Sequence, residues 1–382
     1  MQTLNILDTL IAFPTVSCNS NRALIAFVVD FLAMRGVTTD CILAEGGRKA
    51  NLFATIGPTD VPGIMLSGHT DVVPVEGQAW TSDPFRLTVR EGRAYGRGAA
   101  DMKGFLAACL SLISRADGRK LKIPLHLAFS HDEEVGCVGV RSLIDRLAAA
   151  PFRPRFCIVG EPTGMRIATG HKGKLAARAV CCGIEAHSAL APRALNAIHL
   201  ACDFVSRLRE RQAGLVASGP RDTAYDIPYT TIHAGVIEGG TALNIVPNQC
   251  TVDFEIRNVA EDDPDRLLAG IVKDAAEIVG AERVRFPQAR IDVEVVNSYP
   301  GLATPEAAEV VAFLRSLTRD PSTCKVAFGT EGGLFSDRLG VPTVVCGPGS
   351  MAQGHKPDEF VTLDQLAECD RLMDRLLDQL VA

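Results

Sequence analysis

Short apolar runs recur along the chain, and helical patterns fall between several of them. The runs at 51–56, 63–67, 125–130 and 155–159 have the length of buried strands. Residues 103–115 set Phe105, Leu106, Cys109, Leu112 and Ile113 on one helical stripe, and 140–149 form a second such helix. Residues 1–35 read as two helices joined by the turn-rich stretch 13–17, with Leu4, Leu7, Leu10 and Ile11 on one face of the first. Strands alternating with helices predict an α/β sheet covered on both faces. Near residue 172 the rhythm changes. A strand (174–182), a long helix (193–212), two strands (229–238 and 244–258), a helix (263–279) and a strand (291–299) follow. That order, β-α-β-β-α-β, is the split βαβ arrangement of a ferredoxin-like unit. After Pro300 the α/β rhythm returns with a helix at 305–318, a strand at 341–346 and a closing helix at 363–380. The expected organisation is one domain from 1–173 and 301–382, with a smaller domain, 174–300, inserted into it.

Length agrees with this division, since 382 residues exceed one ordinary core. With 47% hydrophobic and 22% charged residues, a soluble globular protein is expected. A net charge of −6 and the lack of any basic block give no footprint for nucleic acid or an anionic membrane. No apolar run approaches the length that crosses a bilayer, and the first residues lack a basic leader, so the cytoplasm is the expected location. The twelve cysteines are scattered without a C-x-x-C pair, which reads as reduced thiols acting as small hydrophobes.

Candidate chemistry gathers at strand ends. The run 63–67 stops at Gly68, and His69 and Asp71 follow two residues apart, a spacing that turns both side chains one way along an extended chain. Asp132-Glu133-Glu134 and Glu161 also follow predicted strands, His355 follows the strand 341–346 through a Gly/Pro-rich loop, and Asp101 lies just before the helix 103–115. Ligands of open α/β sheets bind at the carboxyl ends of strands. That many carboxylates in one cleft repel one another, and two divalent cations remove the problem. Histidine and carboxylate ligands with an open position suit catalytic zinc, and Co2+ or Mn2+ could bind the same set. Read by themselves, Asp71 is equally a turn cap, His187 a surface histidine, Arg257 a strand-end ion pair and Asn244 a turn residue. Histidines 126, 131, 171, 199 and 233 read as structural.

Six blocks, in order and spanning nearly the whole chain, carry a resemblance: Ser67–Pro74, Gly96–Gly104, Asp132–Glu134, Gly160–Thr163, Glu185–Ser188 and Gly354–Phe360. Together they resemble the M20 family of metallopeptidases and amidohydrolases. The resemblance implies a mixed-sheet, zinc-exopeptidase-like catalytic domain carrying a ferredoxin-like dimerisation and lid domain. It implies two Zn2+ per subunit, one held by His69 and Glu161, the other by Glu134 and His355, with Asp101 bridging and a cis peptide from Asp101 to Met102. Glu133 would be the general base, and Asp71 would orient His69. His187 would donate to the oxyanion from the partner subunit of a homodimer, and Asn244 and Arg257 would hold the substrate carboxylate. Phe129–Cys137, Gly170–Lys174 and Phe328–Phe335 point, within the family, to hydrolysis of N-acetyl-L-ornithine in arginine biosynthesis. Acetylcitrulline, succinyl-diaminopimelate or dipeptides are the alternative small-molecule substrates, and a non-catalytic metal-binding relative is a further alternative. Glu331, Glu185 and Asp337 are candidates to meet the δ-ammonium.

Overall fold

The computed structural model describes residues 2–150 and 153–381. The chain divides into two compact units, one formed by residues up to His171 and from Leu302 onward, the other by Lys172–Gly301.

The first unit opens with α1 (Gln2–Ile11) and α2 (Arg22–Ala33), then β1 (Thr39–Leu43), β2 (Ala50–Ile56), β3 (Ile64–His69) and the short β4 (Thr88–Arg90) and β5 (Arg93–Tyr95). Next come α3 (Lys103–Ala116), β6 (Leu125–Ser130), α4 (Val140–Ala148), β7 (Phe156–Pro162) and β8 (Ile167–His171). The inserted unit supplies β9 (Gly173–Cys182), α5 (Ala197–Ser218), β10 (Thr231–Gly239), β11 (Gln249–Asn258), α6 (Pro264–Glu282) and β12 (Arg290–Tyr299). The first unit closes with β13 (Leu302–Ala303), α7 (Glu309–Leu317), β14 (Thr323–Val326), α8 (Gly332–Leu339), β15 (Thr343–Gly347), β16 (Phe360–Thr362) and α9 (Leu363–Leu380).

A nine-stranded mixed sheet in the order β1-β2-β6-β3-β7-β15-β8-β13, with β14 joined to β8, forms the spine of the first unit. Its centre is parallel: β3 lies between β6 and β7, and β15 continues on the far side of β7. All six residues of β3 and all seven of β7 are buried, as continuous apolar runs in a two-sided sheet must be. Helix α3 is buried almost all round, so it lacks a solvated stripe and packs between sheet and outer helices. Gly160 makes its seat: a Cβ there would stand 1.9 Å from the Phe105 ring, so only glycine lets α3 approach β7 one residue before Glu161.

In the inserted unit the sheet order is β10-β11-β9-β12 with every neighbour antiparallel, the ferredoxin-like topology. Burial alternates strictly along β11, so one face carries α5 and α6 and the other faces solvent. Asp263 caps α6 by accepting from the Asp265 and Arg266 N–H groups, with Pro264 in the first turn.

The two largest departures from the sequence expectation lie in this unit. The helix expected at 193–212 runs from Ala197 to Ser218, because the Asn196 side chain accepts from the Ile198 N–H and starts it later. The strand expected from 244 begins at Gln249, because residues 244–246 pair instead with 186–188: the Ser188 N–H donates to the Asn244 carbonyl (2.9 Å) and the Val246 N–H to the Ala186 carbonyl (2.8 Å). In the first unit, β1, β8 and α8 had no expectation; β8 contains Thr169, Gly170 and His171, and α8 opens on two glycines.

His126 on β6 is held to a pKa of about 4 by burial; it stacks on Phe53 and lies 2.9 Å from the Thr55 hydroxyl. A histidine depressed in the fold leaves the unfolded chain to take up the proton first as pH falls below about 6.5. Folding stability therefore drops between pH 6.5 and 4, by about 3 kcal/mol for a shift of this size. His126→Gln removes that contribution, so wild type should lose about that much more stability than the variant between pH 7 and 4, read by urea unfolding; parallel losses would refute the assignment.

Candidate active site

The four adjacent parallel strands end on one edge, and the acidic and imidazole groups stand there. His69 is the last residue of β3, Glu161 lies near the end of β7, Asp132 to Glu134 follow β6, and the loop after β15 leads to His355. Asp101 sits just ahead of α3, and its peptide bond to Met102 is cis.

These side chains converge. His69 Nε2 lies 3.0 Å from Asp101 Oδ1 and 3.6 Å from Glu161 Oε1. His355 Nε2 lies 3.2 Å from Asp101 Oδ2 and 3.0 Å from Glu134 Oε2. Asp101 thus presents one oxygen to each imidazole. On the other side of the His69 ring, Nδ1 is 2.9 Å from the Asp71 carbonyl. A carbonyl only accepts, so Nδ1 carries a hydrogen, and Nε2 is the ring nitrogen that faces Asp101 and Glu161.

The Asp71 carboxylate stands between the His69 ring and the turn after β6. It is 3.7 Å from His69 Nδ1, while its oxygens accept the backbone N–H groups of Glu133 (3.2 Å) and Glu134 (3.3 Å) and the Ser17 hydroxyl (2.7 Å). Asp71 orients His69 through its main chain and fixes the Glu133-Glu134 turn through its side chain. Asp132, which starts that turn with a positive φ of 56°, is held by Lys49 Nζ (2.5 Å) and by His131 Nδ1 (3.0 Å). The Cys137 thiol donates to Glu133 Oε1 (3.2 Å).

Burial and like charge set the titration of the cluster. Desolvation, reinforced by neighbouring carboxylates, lifts Glu133 to about 8 and Glu134 to about 7, and raises Glu161 well above its ordinary value. Burial also acts on Asp101, but hydrogen bonds from His355 and His69 outweigh it and hold its carboxyl below the usual range. Hydrogen bonds to Asp101 and Glu134 push His355 up to about 10.

The donor set suits cations. His69, Glu133 and Glu161 place ligand atoms within 4.8 Å of one another, and so do His69, Asp101 and Glu134. Glu134 Oε1 is buried with no partner among the described residues, a lone pair that hydrogen bonding leaves unused and a cation would use. Imidazoles and carboxylates together suit zinc, cobalt or manganese.

The chain matches the model of peptidase family M20/M25/M40 over residues 65–379. Similar proteins include the acetylornithine deacetylases of Pasteurella multocida, 33% identical over 98% of this chain and 97% of that protein, and of Myxococcus xanthus, 35% identical over 97% and 95%. The chain belongs to peptidase family M20. It is a metal-dependent amide hydrolase. The fold agrees: an M20 metallo-carboxypeptidase from Sulfolobus solfataricus superposes with a TM-score of 0.81 at 20% identity, over 99% of this chain and 98% of that one. A tripeptidase from Staphylococcus aureus gives 0.77 at 20% identity, with the same coverage.

The other expected site residues of this M20 chain fall in both units. His187, Asn244 and Arg257 belong to the inserted unit. His187 and Asn244 come together at one tip, where His187 pairs with Ile245 as an isolated bridge and its Nδ1 accepts from the Ala189 N–H (3.1 Å). Arg257 lies on the sheet, with Nε 3.0 Å from Glu255 Oε1 and Nη1 donating to the Tyr299 hydroxyl (3.2 Å). Glu185, also in this unit, accepts from the Asn248 amide, and Asp337 is exposed on α8. Glu331, a candidate to meet substrate, is fully enclosed, and its two oxygens accept the hydroxyls of Ser67 (2.5 Å) and Ser130 (2.7 Å), which ties β3 to β6.

Sequence reasoning passed over Ser17, Lys49, Arg97, Cys137 and Glu359, which hold the reactive groups in place. The available signal was that Arg97, Cys137 and Glu359 lie inside the blocks Gly96–Gly104, Phe129–Cys137 and Gly354–Phe360.

Cations that relieve this repulsion bind the folded state alone, so each site filled at a hundredfold excess over Kd adds about 3 kcal/mol. Metal-stripped protein titrated with Co2+ or Zn2+ should therefore show a thermal midpoint that rises by several degrees; a flat midpoint would mean that the cluster holds no cation.

Proposed function

We propose that this chain hydrolyses the amide of N-acetyl-L-ornithine to L-ornithine and acetate, as a cytoplasmic homodimer with two Zn2+ per subunit. The observation that carries the reading is Asp101, which shares its oxygens between His69 and His355 while Glu161 and Glu134 flank the two imidazoles. Relatives named for this reaction, alike over nearly the full chain, support the substrate.

In this reading His69 and Glu161 would hold one cation and Glu134 and His355 the other, with Asp101 available to both. When bound, the pair supplies Lewis acidity toward the substrate carbonyl and the attacking water. Glu133 takes the proton of that water and delivers it to the departing amine. It stands among the ligand groups without bonding to either imidazole, and Asp71 and Cys137 fix its position. Adjacent glutamates divide the work because the turn after β6 sends Glu134 toward His355 and Glu133 toward Cys137. The partner's His187 donates to the oxyanion, and Asn244 and Arg257 hold the substrate carboxylate; the exposed His187 ring and the partly open Arg257 guanidinium support both roles. Among the described residues no helix is long and apolar enough to cross a membrane.

Glu133→Gln should keep both cations, counted by elemental analysis, and lower kcat by about 10²-fold or more; a near wild-type rate would remove Glu133 as the base. A panel comparing N-acetyl-L-ornithine with acetylcitrulline, succinyl-diaminopimelate and dipeptides by kcat/KM, with and without exhaustive chelation, tests the substrate and the metal together. Acetylornithine should lead by at least tenfold, and chelation should abolish turnover of every compound. Another compound in the lead would redirect the substrate assignment, and activity surviving chelation would end the mechanism.

A further inference from the structure

Arg97 and Glu359 are both 1% exposed and pair at 2.7 Å. They lie outside the reacting cluster, yet they bond to the segment that leads to Asp101 and to the loop that carries His355. Glu359 Oε1 accepts the backbone N–H of Ala100 (2.9 Å) and of Asp101 itself (3.0 Å). Oε2 accepts the Gly98 N–H (3.1 Å) and Arg97 Nη1. The Glu359 carbonyl takes the Gly96 N–H (2.9 Å). One carboxylate therefore fixes four groups of the segment 97–101, and its main chain anchors the entry to that segment.

Arg97 ties in the neighbouring loops. Its Nη1 donates to the carbonyl of Lys356, next to His355, at 3.3 Å; its Nη2 donates to the Pro74 carbonyl (3.4 Å) and to the Gln78 side chain. The Gln78 amide in turn donates to the His355 carbonyl (3.1 Å), and His355 holds a positive φ of 61°. The segment with Asp101 and the loop with His355 thus share one buried junction.

We propose that Glu359 is a positioning residue for the two-cation centre: it holds Asp101 and His355 in register, and the cation between Asp101, Glu134 and His355 depends on it more than the cation at His69. The proposal rests on reading the cluster as a two-cation centre. A glutamine at 359 still accepts on one atom, but its NH2 faces donors where an acceptor stood, and Arg97 is left without a countercharge.

The test is titration of metal-stripped protein with Co2+, followed by visible absorption and calorimetry, in wild type, Glu359→Gln and the double variant Arg97→Met/Glu359→Gln. The double variant removes the stranded charge, so it keeps the question open if the single variant fails to fold. Expected are two cations on wild type and, in either folded variant, a second-cation Kd at least tenfold weaker with the first changed less than threefold. On acetylornithine, kcat should fall with KM within about threefold. A variant that folds and binds both cations as wild type does overturns the proposal alone, as does equal weakening of both. Wild type that binds no cation removes the centre and this role together.

Discussion

Mutual repulsion among carboxylates in a nearly dry cleft is the constraint on which the rest of this structure depends. Asp101, Glu134 and Glu161 lie within 3.6 Å of one or both of two imidazoles, with Glu133 beside them. Burial has already driven Glu133, Glu134 and Glu161 toward their protonated forms. Apolar packing would never select such a cluster, because each buried charge costs several kcal/mol to desolvate. The scaffold around it must hold these groups together against their own electrostatics.

It does so with backbone dipoles and strand ends rather than with opposing surface charge. The parallel strands β6, β3, β7 and β15 bring the ligand-bearing termini to one edge, and Gly160 lets Phe105 lock α3 against β7 beneath Glu161. Asp71 clamps the main chain of Glu133 and Glu134, Lys49 and His131 clamp Asp132, and Glu331 ties Ser67 to Ser130. The enclosed Arg97–Glu359 pair belongs to the same class of device. An ion pair with both partners 1% exposed is a weak source of net stability, but losing one partner costs roughly 3–5 kcal/mol. Its worth lies in geometry, because it admits one arrangement of the segment leading to Asp101.

The inserted unit follows a different logic. Its core comes from a sheet with one face under two helices, and Phe204 meets Phe254 edge-on at 5.6 Å within it. Its site candidates stand on surfaces that this core leaves free: a tip where 186–188 pairs with 244–246, and an open sheet face where Arg257, Glu255 and Lys174 interact.

Much of this was legible in the residues. The apolar runs located the central strands because a strand covered on both faces has no polar alternation, and His69, Asp101, Glu134, Glu161 and His355 stood out because acid and imidazole at strand ends have few structural uses. The switch to β-α-β-β-α-β order announced the inserted unit, and Asp263-Pro264 announced the start of α6. Periodicity could not see β8 or α8, whose glycines and polar residues are buried by their neighbours rather than by their own pattern. Nor could it separate the Asp71 main chain from its side chain, or tell that Glu331 turns inward. By itself the sequence determined which residues carry charge, which segments are apolar and where glycine permits close approach. Tertiary structure alone decided which carboxylates converge on the two imidazoles and which serve as struts, because that choice depends on hydrogen-bond partners brought from distant parts of the chain.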